Sequence, residues 1–306
     1  MRVAIFGGTG FVGGYMVEAL LEAGHEPTVL VRPGSEGKVR SAERCRLVAG
    51  DIGSDASIRA TLESCDAAIY NIGILRAFPN QGITFEELQY NGLVRVVNAA
   101  KDVGVGRLLL MSANGVKPGG TDYQDTKYRA EQYAMQSSLD ITVFRPSVIF
   151  GDPRGSMEFA TQLHRDMVDM PLPAVGFFSG LRPGEGKILM SPVHILDVAQ
   201  AFVQALKEPS TTGKIYSLGG PEILSWQEMI QRIAAAVGRK KRILPMPVQV
   251  MKIGATLLDW LPPFPVTRDQ LTMLTEGNTA DPLEIQSLIG QMPRPFTAQN
   301  LSYLRG

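Results

Sequence analysis

With 306 residues, 44% of them hydrophobic and 20% charged, the chain has the composition of a globular protein holding one large domain or a large and a small one. A formal net charge of zero argues against a broad nucleic-acid surface, and no apolar run reaches the roughly twenty residues that a membrane-spanning helix needs. The two cysteines, Cys45 and Cys65, lack metal-ligand spacing. Together with an opening strand and glycine turn, from which no signal peptide is expected, they point to a reducing, cytoplasmic setting without a metal.

The first element is the short apolar run Val3 to Phe6, which breaks into glycines at 7, 8, 10, 13 and 14 before the helical pattern Tyr15 to Ala23. Strand, glycine turn and helix in that order form the context in which glycines cradle a dinucleotide pyrophosphate. A residue without Cβ lets the backbone approach the phosphates, and a helix starting near Phe11 points unpaired N–H groups at them. Gly7, Thr9, Gly10, Phe11, Val12 and Gly13 are the candidate contacts.

Thr28 to Val31 reads as a second strand and ends in Arg32. Nicotinamide-binding folds that take the unphosphorylated cofactor carry an acid there for the adenosine ribose. A guanidinium instead pairs with a 2′-phosphate through two parallel hydrogen bonds, and Ser35 and Lys38 follow within reach. NADP(H) is therefore favoured, with NAD(H) still admitted. Arg46 to Val48 is a third strand, and Asp51-Ile52 beyond it would sit beside the adenine. Ser54 caps a helix running through Ser64. Ala67 to Asn71 is a fourth strand, and Asn71-Ile72-Gly73 would pass close to the cofactor, although Asp, Asn and Gly also serve ordinary turns.

Phe85 to Val103 has the periodicity of one long amphipathic helix, with Leu88, Leu93, Val96, Val97 and Ala100 on its apolar face. Leu108 to Met111 is a buried strand, Thr121 to Ser137 a helix, and Ile141 to Phe144 another strand. Tyr123 and Lys127 lie four apart at the start of that helix and so share one face. An adjacent ammonium is expected to pull a phenol's pKa down from about 10 and fit it for proton transfer. The lysine can also hold a ribose hydroxyl. After Arg145-Pro146 the texture changes, with glycine and proline frequent between 151 and 186. Later pieces are a helix at His194 to Leu206, a strand at Lys214 to Leu218 and a helix at Trp226 to Val237. The expected fold is α/β, a Rossmann-type doubly wound parallel sheet in residues 1–150. A smaller mixed region, residues 151–306, packs on it for substrate or partner, and some of its elements return to the main sheet. Pro247 to Pro265 is apolar enough to meet a membrane surface or a partner protein, or else to form core or pocket wall.

The motifs Gly7-Gly-Thr-Gly-Phe-Val-Gly13, Asp51, Tyr123-x-x-x-Lys127, Arg145-Pro-Ser-Val-Ile-Phe-Gly151 and Pro192-Val-His-Ile-Leu-Asp-Val-Ala199 occur in this order over roughly residues 1 to 220. They resemble the extended or atypical short-chain dehydrogenase/reductase superfamily. Pro263-Phe-Pro-Val-Thr-Arg-Asp-Gln-Leu271, with Asn278 beyond it, resembles the branch containing the nucleotide-binding accessory subunit of respiratory complex I and its bacterial relatives. The resemblance implies that Gly7, Gly10 and Gly13 meet the pyrophosphate, Arg32 the 2′-phosphate and Asp51 the adenine. It places Tyr123 and Lys127 at the nicotinamide ribose, and Pro146, Ser147 and Val148 along the nicotinamide. Superfamily enzymes also carry a Ser or Thr just past the fifth strand to polarise the substrate oxygen. Here the stretch is Ser112-Ala113-Asn114-Gly115, and one register puts Ala113 in that place, leaving Ser112 or Asn114 to substitute.

Two readings follow. The first is an NADP(H)-dependent oxidoreductase, epimerase or dehydratase, with Tyr123 as acid/base, Lys127 as its electrostatic partner and Ser112 or Asn114 as polariser. Its small-molecule substrate is unidentified. Phe177, Phe178 and Met190 hint at a partly hydrophobic one, and Arg154, Arg165 and Arg182 keep a sugar nucleotide open. The second is an NADP(H)-binding accessory or scaffold protein with little or no turnover, docking on a respiratory or other membrane complex through residues 247–265.

Overall fold

The computed structural model describes residues 1–180, 182, 185–250 and 268–305. Its centre is a parallel sheet of seven strands. Six of them are β1 (Arg2–Phe6), β2 (Glu26–Val31), β3 (Arg46–Ala49), β4 (Ala67–Tyr70), β5 (Arg107–Met111) and β6 (Asp140–Pro146), and the seventh is Lys214–Leu218. In space the order is Lys214–Leu218, β6, β5, β4, β1, β2, β3. The chain winds outward from β1 in one direction and from β4 in the other. The crevice between those two strands is the switch point at which such sheets bind ligands. The fold is therefore the Rossmann-type doubly wound sheet.

Strands covered on both faces need no alternation of apolar and polar residues, which is why β1 is one apolar run. Val3 and Ile5 face α1 (Phe11–Glu22) and the helix Ile195–Lys207, packing with Val17, Leu20, Val198 and Phe202. Ala4 and Phe6 face α2 (Asp55–Leu62) and α3 (Gly92–Val103), packing with Ile58, Leu62, Leu93 and Val97. Each such large side chain contributes about 1.5–3 kcal/mol by leaving water. The helix α4 (Asp122–Met135) starts at a capping box, in which Thr121 accepts from the Gln124 amide and Gln124 returns a bond to the Thr121 amide. Ser54 caps α2 by accepting from the Ser57 amide.

The segment from 85 to 103 is not one regular α-helix. Glu86–Asn91 forms a wide π turn that leads into α3 at Gly92. Gly92 lies so close to β4 that a Cβ there would come within 2.5 Å of the Tyr70 hydroxyl. The extra residue in the turn brings Gln89 inward, where it donates to the Ile74 carbonyl and accepts from Thr126, both at 3.0 Å. Apolar periodicity does not register such an insertion, because the same face stays apolar on either side of it.

A third core gathers Phe150, Leu163, Phe177, Met190, Trp226, Ile230 and Phe296. Phe177 and Met190 are thus core residues and Phe178 is equally buried, so the expectation that these three mark a substrate surface is corrected. Of Pro247 to Pro265, Pro247 closes the strand Ile243–Pro247, which pairs with Ala174–Phe178, and Val248 is buried. Residues 251–265 lie outside the described residues, as do 263–267 of the complex I-like stretch. Among the described residues no helix is long and apolar enough to cross a membrane.

Candidate functional site

The glycine turn divides into structural and open positions. Gly7 has φ +99°, and a Cβ there would lie 2.9 Å from the carbonyl of Asn71. A Cβ on Gly13 would stand 2.1 Å from the Gly7 carbonyl oxygen, inside covalent-radius crowding. Gly10 is different, because the nearest atom to its Cβ position is the Gly7 oxygen at 3.8 Å. Among the described residues nothing crowds a Cβ at position 10, so the backbone there is open on its outer side. The helix α1 has no side-chain cap and no acid in its first turn, which leaves its N–H groups and positive end available to an anion. Phe11 packs edge-on against Tyr15 and, with Val12, against Ile195 and Ala199, while Thr9 is half-buried in the turn.

These contacts separate two substitutions. Gly10→Ala is expected to keep the wild-type melting temperature within a few degrees while weakening cofactor binding at least about tenfold, since the methyl occupies space needed by phosphate. Gly13→Ala is expected to lower the melting temperature itself. Thermal melts run beside cofactor titrations distinguish the two, and a Gly10→Ala protein that binds normally would contradict the assignment.

Arg32 is exposed at the end of β2, and among the described residues its guanidinium makes no hydrogen bond or ion pair. Ser35 donates its amide to the Arg32 carbonyl at 2.9 Å, and Lys38 follows in a short 3-10 turn. Asp51 is exposed and accepts from the Gly53 amide at 2.9 Å, a turn bond that leaves its second oxygen open. The Ile52 side chain is buried in the core beside Gly92, so only its backbone borders the cleft. Sequence reading passed over Arg40, whose side chain lies against Gly14 on α1.

At the other end, Asn71 reaches the Gly7 carbonyl at 3.5 Å, and a Cβ on Gly73 would lie 3.4 Å from Lys127 Nζ. Lys127 is 6% exposed and donates to the Met111 carbonyl at 3.1 Å. Burial pulls its pKa down to about 8, with Glu131 acting in the opposite direction. Tyr123 is half-buried and packs edge-on against Phe85 at 5.9 Å. Its phenol is pushed up from the ordinary value by burial, against the expectation of a lowered pKa. The physical reason is distance: Lys127 Nζ stands 5.9 Å from the ring centroid and spends a donor on Met111, so it does not offset the lost hydration.

Ser112 is 4% exposed, and its hydroxyl has no hydrogen-bond partner among the described residues. It lines one hollow with Lys127, Ile72 and Gln89. Asn114 is differently placed, since its amide donates to Asn278 Oδ1 at 2.9 Å and to the Thr279 carbonyl at 2.8 Å. The Ser147 hydroxyl donates to the Asn278 carbonyl at 2.7 Å, Pro146 is buried, and Val148 accepts from the Val193 amide. Asn278 therefore ties together the loops that follow β5 and β6. Of the two candidate polarisers, the buried Ser112 hydroxyl lacks a partner among the described residues and Asn114 is committed.

Arg154 pairs with Glu18 at 2.6 Å and lies over the Tyr15 ring, and Arg165 pairs with Asp166 at 2.7 Å. His194 accepts from the Leu196 amide, and burial and Arg294 hold it at about 4, so it is a neutral helix cap. The open backbone at Gly10 and the uncapped helix α1 follow β1, and the Ser112 hydroxyl and the Lys127 ammonium lie beyond the end of β5, so polar groups stand on both sides of the sheet's switch point.

Residues 7–170, more than half of the chain, match the family model described as NAD(P)H-binding. Over 290 residues the chain is 26% identical to the mitochondrial NADH dehydrogenase (ubiquinone) 1 alpha subcomplex subunit 9 of Arabidopsis thaliana, covering 90% of this chain and 68% of that protein. It is 26% identical over 275 residues to the chloroplastic divinyl chlorophyllide a 8-vinyl-reductase of Oryza sativa, covering 85% of this chain and 64% of that one. The solved structure of UDP-glucuronic acid 4-epimerase from Bacillus cereus, in complex with UDP-glucuronic acid and NAD, shares the fold. Its TM-score is 0.73 at 16% identity, over 100% of this chain and 98% of that chain.

Proposed function

The chain belongs to the NAD(P)H-binding family, in its extended, atypical short-chain dehydrogenase/reductase form, and we propose that it is an NADP(H)-dependent oxidoreductase acting on a small, partly apolar molecule. The observation that carries this reading is the buried, unpartnered Ser112 hydroxyl beside the buried Lys127 ammonium. A buried polar atom without a partner costs about 1–3 kcal/mol, which a substrate oxygen seated on Ser112 would recover.

The nicotinamide, when bound, supplies or takes up the hydride. The open backbone at Gly10 and the N-terminal turn of α1 hold the pyrophosphate, and Arg32 holds the 2′-phosphate. Lys127 Nζ donates to a ribose hydroxyl while keeping its bond to Met111. The Ser112 hydroxyl donates to the substrate oxygen and draws electron density toward it. Tyr123 Oη delivers a proton to the substrate atom that gains the electron pair. Burial keeps that phenol protonated, so Tyr123 starts as an acid, which suits reduction. Arg154 and Arg165 have carboxylate partners, which counts against their serving a sugar nucleotide, whereas the Arg182 side chain pairs with no carboxylate among the described residues. Leu75 and Phe78, exposed on the loop that leaves the cleft at Gly73, offer apolar surface to a substrate.

The test is NADPH consumption by the purified protein across a panel of partly apolar ketones, aldehydes and conjugated alkenes. Turnover of a panel member by wild type is the expected result. Tight NADPH binding with no turnover of any member would replace this reading by the second, an accessory protein that keeps its cofactor as a structural part. The bonds of Asn278 to Asn114 and Ser147 favour that second reading, since they withdraw two polar groups from the nicotinamide end.

A further inference from the structure

We propose that Glu131 is a positioning residue that holds Lys127 in its charged form, with Arg145 fixing the Glu131 carboxylate in place. The inference rests on the reading of Lys127 as the cation that holds the cofactor. Residues 127 and 131 are four apart on α4 and so lie one turn apart on the same face. Both face inward, Lys127 at 6% and Glu131 at 0% exposure. Arg145, on β6, closes a fork on the carboxylate: its Nε donates to Oε1 at 2.9 Å and its Nη2 donates to Oε2. Tyr123, Lys127 and Glu131 thus form a row along a single helix face, of which sequence reading caught only the first two.

A buried ammonium whose hydrogen bond goes to a neutral carbonyl is driven toward its uncharged form. Glu131 supplies the opposing field, the one attraction that raises the Lys127 pKa against burial. The other titratable groups around it do not. Tyr123, on the same helix, and Tyr70, on β4, are phenols that burial pushes up, so both are neutral. Arg145 is the remaining charge; paired with Glu131, it opposes the carboxylate's field at Lys127, and the double variant below measures the sum of the two. An uncharged Lys127 could still accept a hydrogen bond, but it would lose the charge-assisted donor that makes it a strong ribose ligand.

The experiment is NADPH titration of the full chain between about pH 6.5 and 9.5, a range chosen to bracket the lysine. Four proteins are compared: wild type, Lys127→Met, Glu131→Gln, and Glu131→Gln combined with Arg145→Met. Wild-type affinity is expected to fall as pH rises through about 8, because the ammonium is lost there. Lys127→Met should bind weakly, with no such fall. Glu131→Gln should show the fall about one pH unit lower, leaving it about fivefold weaker than wild type at the wild-type midpoint.

The double variant, which has no unpaired arginine, should also fall below the wild-type position. Melting curves for all four report whether the fold is intact. A Glu131→Gln profile that coincides with wild type, while Lys127→Met is flat, would overturn the role of Glu131 alone. A double variant restored to the wild-type profile would assign the shift to the unpaired Arg145 and overturn it too. A wild-type profile without the fall, or a Lys127→Met protein that keeps it, would overturn the underlying assignment of Lys127.

Discussion

Arg32→Asp is expected to weaken NADPH binding by about a hundredfold or more and to change NADH binding by less than about threefold. A hydrogen bond to a charged group contributes about 1.5–3 kcal/mol, and two parallel ones from a guanidinium to a phosphate lie at the strong end. Aspartate removes both bonds and sets a like charge against the 2′-phosphate. The guanidinium is exposed and free of ion pairs among the described residues, so the substitution breaks nothing in the fold. Exposure also means screening, and the difference between the cofactors should shrink as salt is raised. Paired titrations of wild type and variant with both cofactors give the answer. Equal losses for NADPH and NADH would remove Arg32 from the phosphate site.

Tyr123→Phe is expected to lower kcat by about a hundredfold to ten-thousandfold, the range a positioned proton donor supplies, while leaving NADPH affinity within about threefold. The substitution is clean because the Tyr123 hydroxyl makes no hydrogen bond among the described residues, and a phenylalanine ring keeps the edge contact with Phe85. Single-turnover and steady-state rates on a substrate from the panel, set beside a binding titration, separate chemistry from binding. A variant that retains turnover would take the proton-transfer role away from Tyr123. One that no longer binds NADPH would give the phenol a structural role instead.

The glycine turn after β1 was legible in the sequence because its requirements are local. The Gly7 and Gly13 positions are forced by backbone contacts within a few residues or across the adjoining strand end, and glycine is the residue that tolerates them. The strands β1, β4 and β5 were legible because burial on both faces leaves an uninterrupted apolar run. The helix read from Thr121 to Ser137 is α4, and the structure adds the capping box between Thr121 and Gln124 that starts it.

The loops that follow β5 and β6 were much less legible, because they are tied together by distant residues. Asn278 reaches Asn114 across 164 positions and Ser147 across 131, and no spacing rule connects them. Arg145 meets Glu131 through the packing of β6 against α4, which a pattern along one element cannot show. The aromatic cluster at 177 and 178 reads the same whether it lines a cleft or fills a core, and the third core decides in favour of the latter. The direction of the Tyr123 shift was lost for a related reason. A spacing of four reveals that a cation is near, but not that the phenol is dehydrated or that the cation already has a partner.

Calorimetric titration of the purified chain with NADPH and with NADH, after any retained cofactor has been removed, decides whether this cleft holds NADP(H). One site per chain and at least about tenfold tighter binding of NADPH are expected, the margin of a guanidinium on a 2′-phosphate. Tighter binding of NADH, or heat from neither cofactor, would contradict that assignment.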